Sequence, residues 1–117
     1  MAKARIYHNP RCTKSRQTLA LLNDRNVDVE IVEYLKAPPS ISQLDSLCKA
    51  LGVEPLEMMR TKEARFRELG LAKGDRRPRR EWLRIMHDNP ILIERPIVIH
   101  GKKAALGRPP ENVLEIL

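Results

Sequence analysis

His8-Asn9-Pro10-Arg11-Cys12-Thr13-Lys14-Ser15-Arg16 is the stretch on which the reading of this chain turns. It follows the apolar pair Ile6 and Tyr7 and leads into a helical pattern carried on by Leu19 and Leu22. A strand end, a tight turn and a helix start are compressed into these few residues, with a cysteine at the junction. The free N–H groups and the positive dipole end of a helix N-terminus favour an anion there. The same field favours thiolate over thiol, and Arg11, Lys14 and Arg16 add to it. A low-pKa cysteine at an anion site is what nucleophilic attack on an oxyanion or a disulfide requires.

Working outward, Arg5 to His8 reads as a strand and Ser15 to Arg25 as a helix with Leu19, Ala20, Leu21 and Leu22 on its apolar face. Val27 to Tyr34 alternates apolar and polar, the period of a strand. A helix that crosses between two strands predicts that they pair in parallel. Ala37-Pro38-Pro39 breaks the chain. Ser40 with Gln43 is a capping-box pattern ahead of Leu44, Leu47, Cys48 and Leu51, and Gly52 ends that run. Pro55 opens a short segment to Arg60, Glu63 to Leu69 reads as a helix stopped at Gly70, and Arg80 to His87 is a further helix closed by Asn89-Pro90. Ile97-Val98-Ile99 and Ala104-Ala105-Leu106 read as a hairpin around His100-Gly101-Lys102. Gly107-Arg108-Pro109-Pro110 breaks again before an amphipathic helix from Glu111 to Leu117. The fold class is therefore α/β, a thioredoxin-like β-α-β / β-β-α core. One domain over 1–117 is expected, with a helical insertion subdomain at about 40–90 after strand two.

Composition narrows the classes. With 117 residues the chain can bury one hydrophobic core. Neither an apolar run long enough to span a membrane nor an apolar signal segment is present, and two cysteines do not make a disulfide scaffold. The expectation is a soluble protein of a reducing, cytoplasmic compartment, with no membrane partner. The 22 Lys+Arg against 15 Asp+Glu suit anionic substrates or partners. The run Lys73 to Arg80 reads as a solvated basic loop, and with Tyr7, Tyr34, Phe66 and Trp82 the only aromatics, nucleic acid is not the expected partner. His87 and His100 read as surface residues, and no His/Cys pair has zinc spacing, so no metal is expected.

Five stretches in order resemble the glutaredoxin-coupled arsenate reductase family, including arsenate-reductase-like relatives. They are His8-Asn9-Pro10-Arg11-Cys12 with Ser15-Arg16, Tyr34 to Pro39, Met59-Arg60-Thr61-Lys62-Glu63, Asn89 to Val98, and Gly107-Arg108-Pro109-Pro110. The resemblance implies that Cys12 is the nucleophile, that Arg60, Arg95 and Arg108 bind the oxyanion, and that Arg95-Pro96 is the cis bond of the thioredoxin-like fold. It implies arsenate as the small oxyanion substrate, in arsenic detoxification, with glutathione as cosubstrate, glutaredoxin as partner and no bound cofactor. Where studied members carry Gly-Thr after the nucleophile, this chain has Thr13-Lys14, which adds a side chain and a charge.

The residue types fit that chemistry. A guanidinium offers paired donors that match two oxygens of a tetrahedral oxyanion and stays charged at any relevant pH. Lys14 and Ser15 are further candidates for contact with substrate. His8, four residues before Cys12, is a candidate to hold the thiolate as a charged neighbour or donor. Cys12 to Ser15 is C-x-x-S, so the loop cannot close its own disulfide and another thiol must resolve an adduct. Cys48 lies on an apolar helix face and reads as packed core, which leaves an external thiol. Two alternatives stay open: a thiol reductase of this fold acting on another oxyanion or a glutathione-linked substrate, and an Spx-type regulator that binds RNA polymerase. Such regulators usually carry C-x-x-C and lack the full arginine set.

Overall fold

The computed structural model describes residues 3–117, and the chain divides into two compact units, 1–37 with 95–117, and 38–94. The first is built on a sheet of β1 (Ala4–His8), β2 (Val29–Glu33), β3 (Ile97–His100) and β4 (Lys103–Leu106), in the order β2-β1-β3-β4. β1 pairs parallel with β2, as a crossover by α1 (Thr13–Asp24) requires, with Ile6 opposite Ile31. β3 runs antiparallel to both β1 and β4, with Val98 opposite Ile6 and Ile97 opposite Leu106. The hairpin turns at Gly101, whose φ of +64° suits glycine in a tight loop.

Ala4, Ile6 and Val98 point to one face of the sheet and bury against Leu22 of α1 and Val113 and Ile116 of the last segment. That segment, Pro110–Ile116, is a 3-10 helix and not the α-helix expected from its apolar pattern. Its buried residues, Pro110, Val113 and Ile116, recur every third position, the period of a 3-10 turn. β2 is an edge strand, so Ile31 is left half-exposed although the alternation there is that of a covered strand.

The second unit is helical: α2 (Ile41–Leu51), a 3-10 turn at Pro55–Met58, α3 (Ala64–Glu68) and α4 (Arg79–Asp88). The capping box forms as the sequence indicates. Ser40 Oγ accepts the Gln43 N–H, the Gln43 side chain accepts the Ser40 N–H, and Gly52 closes α2 at φ +71°. Leu44, Leu47 and Cys48 of α2 and Trp82, Leu83 and Met86 of α4 form its core. The basic run is only partly a solvated loop. Arg77 pairs with Asp75 and Glu81 and lies over the Trp82 ring, and Arg79 reaches Asp45 at 2.7 Å and Glu54 at 3.3 Å. His87 is likewise not a free surface residue, since its Nδ1 lies 2.9 Å from the Pro39 carbonyl oxygen.

Candidate active site

The turn after β1 is closed by its own backbone and side chains. The Asn9 side-chain oxygen accepts the Arg11 N–H at 3.0 Å and the Asn9 carbonyl accepts the Cys12 N–H at 3.0 Å. Cys12 is the N-cap of α1, with extended dihedrals (φ −94°, ψ 123°), and its carbonyl accepts the first helical bond, from Arg16. The first turn of α1 carries no acidic residue, so no carboxylate competes for the positive helix end. Asn-Pro-Arg ahead of a helix is an Asx-turn signal, and it locates this loop from sequence alone.

Around the Cys12 sulfur the donors converge. Burial pushes its pKa up, but the backbone N–H groups of Ser15 and Lys14, with the charge and donor of Arg95, outweigh that and hold it below the ordinary value. Arg108 places Nη2 3.9 Å from Cys12 Sγ and is anchored by its Nε, which donates to the Arg95 carbonyl at 2.7 Å. Arg95 and Arg108 each precede a cis proline, Pro96 and Pro109. The first was expected and the second was not. Cys12 itself is 8 % exposed, so the thiol is recessed.

Two assignments change. Ser15 does not present its hydroxyl to a ligand: the side chain is fully buried, accepts the Asn9 N–H at 3.0 Å and lies 2.6 Å from His8 Nδ1. Its contribution to Cys12 is its backbone N–H. His8 is not a charged neighbour of the thiolate. Burial lowers its pKa, against the pull of Glu33 and with the push of Arg16, so the ring is neutral at neutral pH and is held by Ser15. His8 sits on β1 and Ser15 one turn into α1, so this bond ties the strand end to the helix start.

Lys14 is exposed on α1 and lines a shallow cleft with Gln17, Leu21, Pro109, Pro110 and Glu111. Arg60 belongs to the helical unit, where it pairs with Glu63 at 3.0 Å and its N–H donates to the Leu92 carbonyl at 2.7 Å. Cys48 is fully buried, its Sγ 3.9 Å from Met58 Sδ, and burial pushes its pKa up to about 11. It is packed core, as the spacing indicated. His100 is engaged too, its Nδ1 2.8 Å from the Ile116 carbonyl oxygen, and this joins β3 to the last 3-10 helix.

The ArsC family model matches residues 7–116, a span that includes the Cys12 turn and the loops bearing Arg60, Arg95 and Arg108. The chain belongs to the ArsC family. It is 47 % identical over 113 residues to an arsenate reductase of Haemophilus influenzae, covering 96 % of this chain and 97 % of that one. An arsenate reductase of Neisseria meningitidis is 43 % identical over an alignment of 118 positions that covers 100 % of this chain and 100 % of that one. Among solved structures, the arsenate reductase from Vibrio cholerae superposes with a TM-score of 0.94 at 44 % identity, covering 99 % of this chain and 98 % of that one. In this chain of the ArsC family Cys12 stands at the N-cap of α1, which follows β1 of the mixed sheet, and the helical insertion follows β2.

Proposed function

We propose that the chain is an arsenate reductase in which Cys12 is the nucleophile and glutathione and glutaredoxin supply the reducing equivalents. The observation that carries this reading is the recessed Cys12 sulfur, favoured as thiolate by two helix amides and Arg95, with the Arg108 guanidinium 3.9 Å away. Membership of a family that includes relatives named arsenate reductases supports arsenate as the substrate.

In the proposed sequence the Cys12 thiolate attacks the arsenic of arsenate. An As–S bond forms, an As–O bond breaks, and the departing oxygen leaves as water once protonated. Arg95 and Arg108 offset the charge of the bound anion and of the oxygens as attack proceeds. Arg60, of the helical unit, is proposed as the third arginine on the family likeness. A glutathione thiolate then attacks Cys12 sulfur. The new S–S bond forms as the As–S bond breaks, and its electron pair returns to arsenic, so As(V) becomes As(III) and leaves as arsenite. Glutaredoxin takes the glutathione from Cys12 by thiol–disulfide exchange and restores the thiolate. The two electrons come from the two thiols, so the residues need no bound cofactor. The glutathione pool of the cytoplasm is the matching compartment.

Lys14 favours a second reading, a thiol reductase for another oxyanion or a glutathione-linked substrate, because it adds an exposed charge next to the thiol loop. Turnover of arsenate with glutathione, glutaredoxin and a glutathione reductase readout separates the two. Arsenate-dependent turnover in the wild type, absent in Cys12→Ser, supports the first. No arsenate-dependent turnover, with reduction of a glutathione mixed disulfide intact, moves the assignment to the second.

A further inference from the structure

Gly107 is the odd glycine of this chain. Gly52, Gly70 and Gly101 have positive φ and open space where a side chain would go, so they serve backbone conformation. Gly107 has no such φ, and a Cβ there would lie 2.4 Å from Thr18 Oγ1, 2.7 Å from Pro96 Cγ and 3.1 Å from Thr18 Cγ2. The demand at 107 is for empty space, between the helix that bears the thiol and the loop that bears Arg95.

The contacts around it converge on Cys12. Gly107 donates its N–H to the Pro96 carbonyl at 2.9 Å, on the residue after Arg95. Thr18 Oγ1 donates to the Lys14 carbonyl at 2.8 Å, within the turn whose N–H groups favour the thiolate. The hydroxyl cannot swing clear of a new Cβ without giving up that bond, and the Pro96 ring cannot swing at all. The next residue is Arg108, anchored on the Arg95 carbonyl with its Nη2 at the sulfur.

We infer that Gly107 is a positioning residue of the Cys12 site. Its missing side chain lets the β4–Arg108 connection press onto Thr18 and Pro96, and that close approach sets where Arg95 and Arg108 stand relative to the sulfur. The inference rests on Cys12 being the reacting thiol. It does not need arsenate to be the substrate.

The test is the pH profile of Cys12 alkylation by iodoacetamide, read by peptide mass spectrometry, with melting temperature measured alongside. Gly107→Ala is expected to move the Cys12 inflection upward by about half a unit or more, since the donors that lower it are displaced. It should also lower kcat/KM for arsenate by about 10- to 100-fold, the scale of a 1 Å misplacement. Gly74→Ala, at a position with open space, should change neither. The double variant Thr18→Ala/Gly107→Ala removes the nearest atom and should recover part of the inflection shift relative to Gly107→Ala. It also provides a folded protein if the single variant does not fold, with Thr18→Ala alone as its baseline. An unchanged inflection in folded Gly107→Ala overturns the inference, whether or not the melting temperature falls. A double variant that folds with no recovery, or that sits at the Thr18→Ala baseline when the single variant cannot be made, also overturns it. A shifted inflection in a protein that does not reduce arsenate leaves the inference standing and removes the substrate assignment. An unmoved one in an active arsenate reductase does the reverse.

Discussion

Two thiols in one chain allow an internal comparison of how strongly the Cys12 loop activates sulfur. Burial pushes Cys48 to about 11, two units above its ordinary value of 9.0, whereas Cys12 lies below that value. At pH 7 a thiol at 11 is ionised to roughly one part in 10⁴, and one below 9 to more than about one part in 10². The thiolate fractions alone favour Cys12 by more than ~100-fold. A less basic thiolate is a weaker nucleophile, and a Brønsted slope of about 0.4–0.5 over two units returns roughly 6- to 10-fold of that. The net expectation is alkylation of Cys12 at least about tenfold faster than Cys48. Full burial of Cys48 widens the gap, and the 8 % exposure of Cys12 narrows it. Iodoacetamide at limiting concentration, stepped from pH 5 to 10 and quantified on the two cysteine peptides, gives both rates in one sample. Cys12 should lead at pH 7, with an inflection below 9, and its lead should narrow toward pH 10 as Cys48 ionises. Faster modification of Cys48 at pH 7, or a Cys12 inflection at or above 9, would refute the electrostatic reading of the loop.

Arg108→Lys keeps the charge, but a single ammonium cannot both hold the Arg95 carbonyl and reach the sulfur. Loss of a charge-assisted bond worth about 1.5–3 kcal/mol predicts a fall of roughly 10- to 150-fold in kcat/KM for arsenate, with the melting temperature little changed. Full activity would remove Arg108 from the site. Ser15→Ala strands the buried His8 Nδ1 and the Asn9 N–H, and should destabilise the fold by about 2–4 kcal/mol in denaturant titration; a loss under 0.5 kcal/mol would show that the bond holds nothing. Cys48 has a raised folded pKa, so its contribution is fully present below pH 9 and is lost as pH rises toward about 11. That loss amounts to at most ~2.7 kcal/mol, and Cys48→Ala should remove that share of the pH dependence in the window.

Local chemistry made much of the fold readable. The turn before Cys12, the Ser40–Gln43 capping box, the Gly101 hairpin and the parallel β1–β2 pair each follow from residues adjacent in sequence or from a crossover rule. The arginines were legible only through the family resemblance, because Cys12, Arg95 and Arg108 are assembled by tertiary structure and no periodicity announces that. What escaped was decided by packing across elements. Ser15 has the residue type of a ligand contact, but its hydroxyl is consumed by His8 and Asn9. His8 loses its charge to burial, and His87 and His100 find carbonyl partners 48 and 16 residues away. Ile31 shares the alternation of a covered strand, and only the strand order shows that it lies at the edge. The last segment offered a signal that was available: Pro110, Val113 and Ile116 are spaced by three.

The proposed joint reduction of arsenate by Cys12 and glutathione is decided by a single turnover without glutaredoxin. Wild-type protein is mixed with arsenate and glutathione, arsenite is quantified, and the intact protein and its Cys12 peptide are weighed. One arsenite should be released per protein, with glutathione held in disulfide linkage on Cys12 and none on Cys48, only when arsenate is present. Arsenite formed without a Cys12–glutathione adduct, or an adduct whose yield does not depend on arsenate, would contradict it.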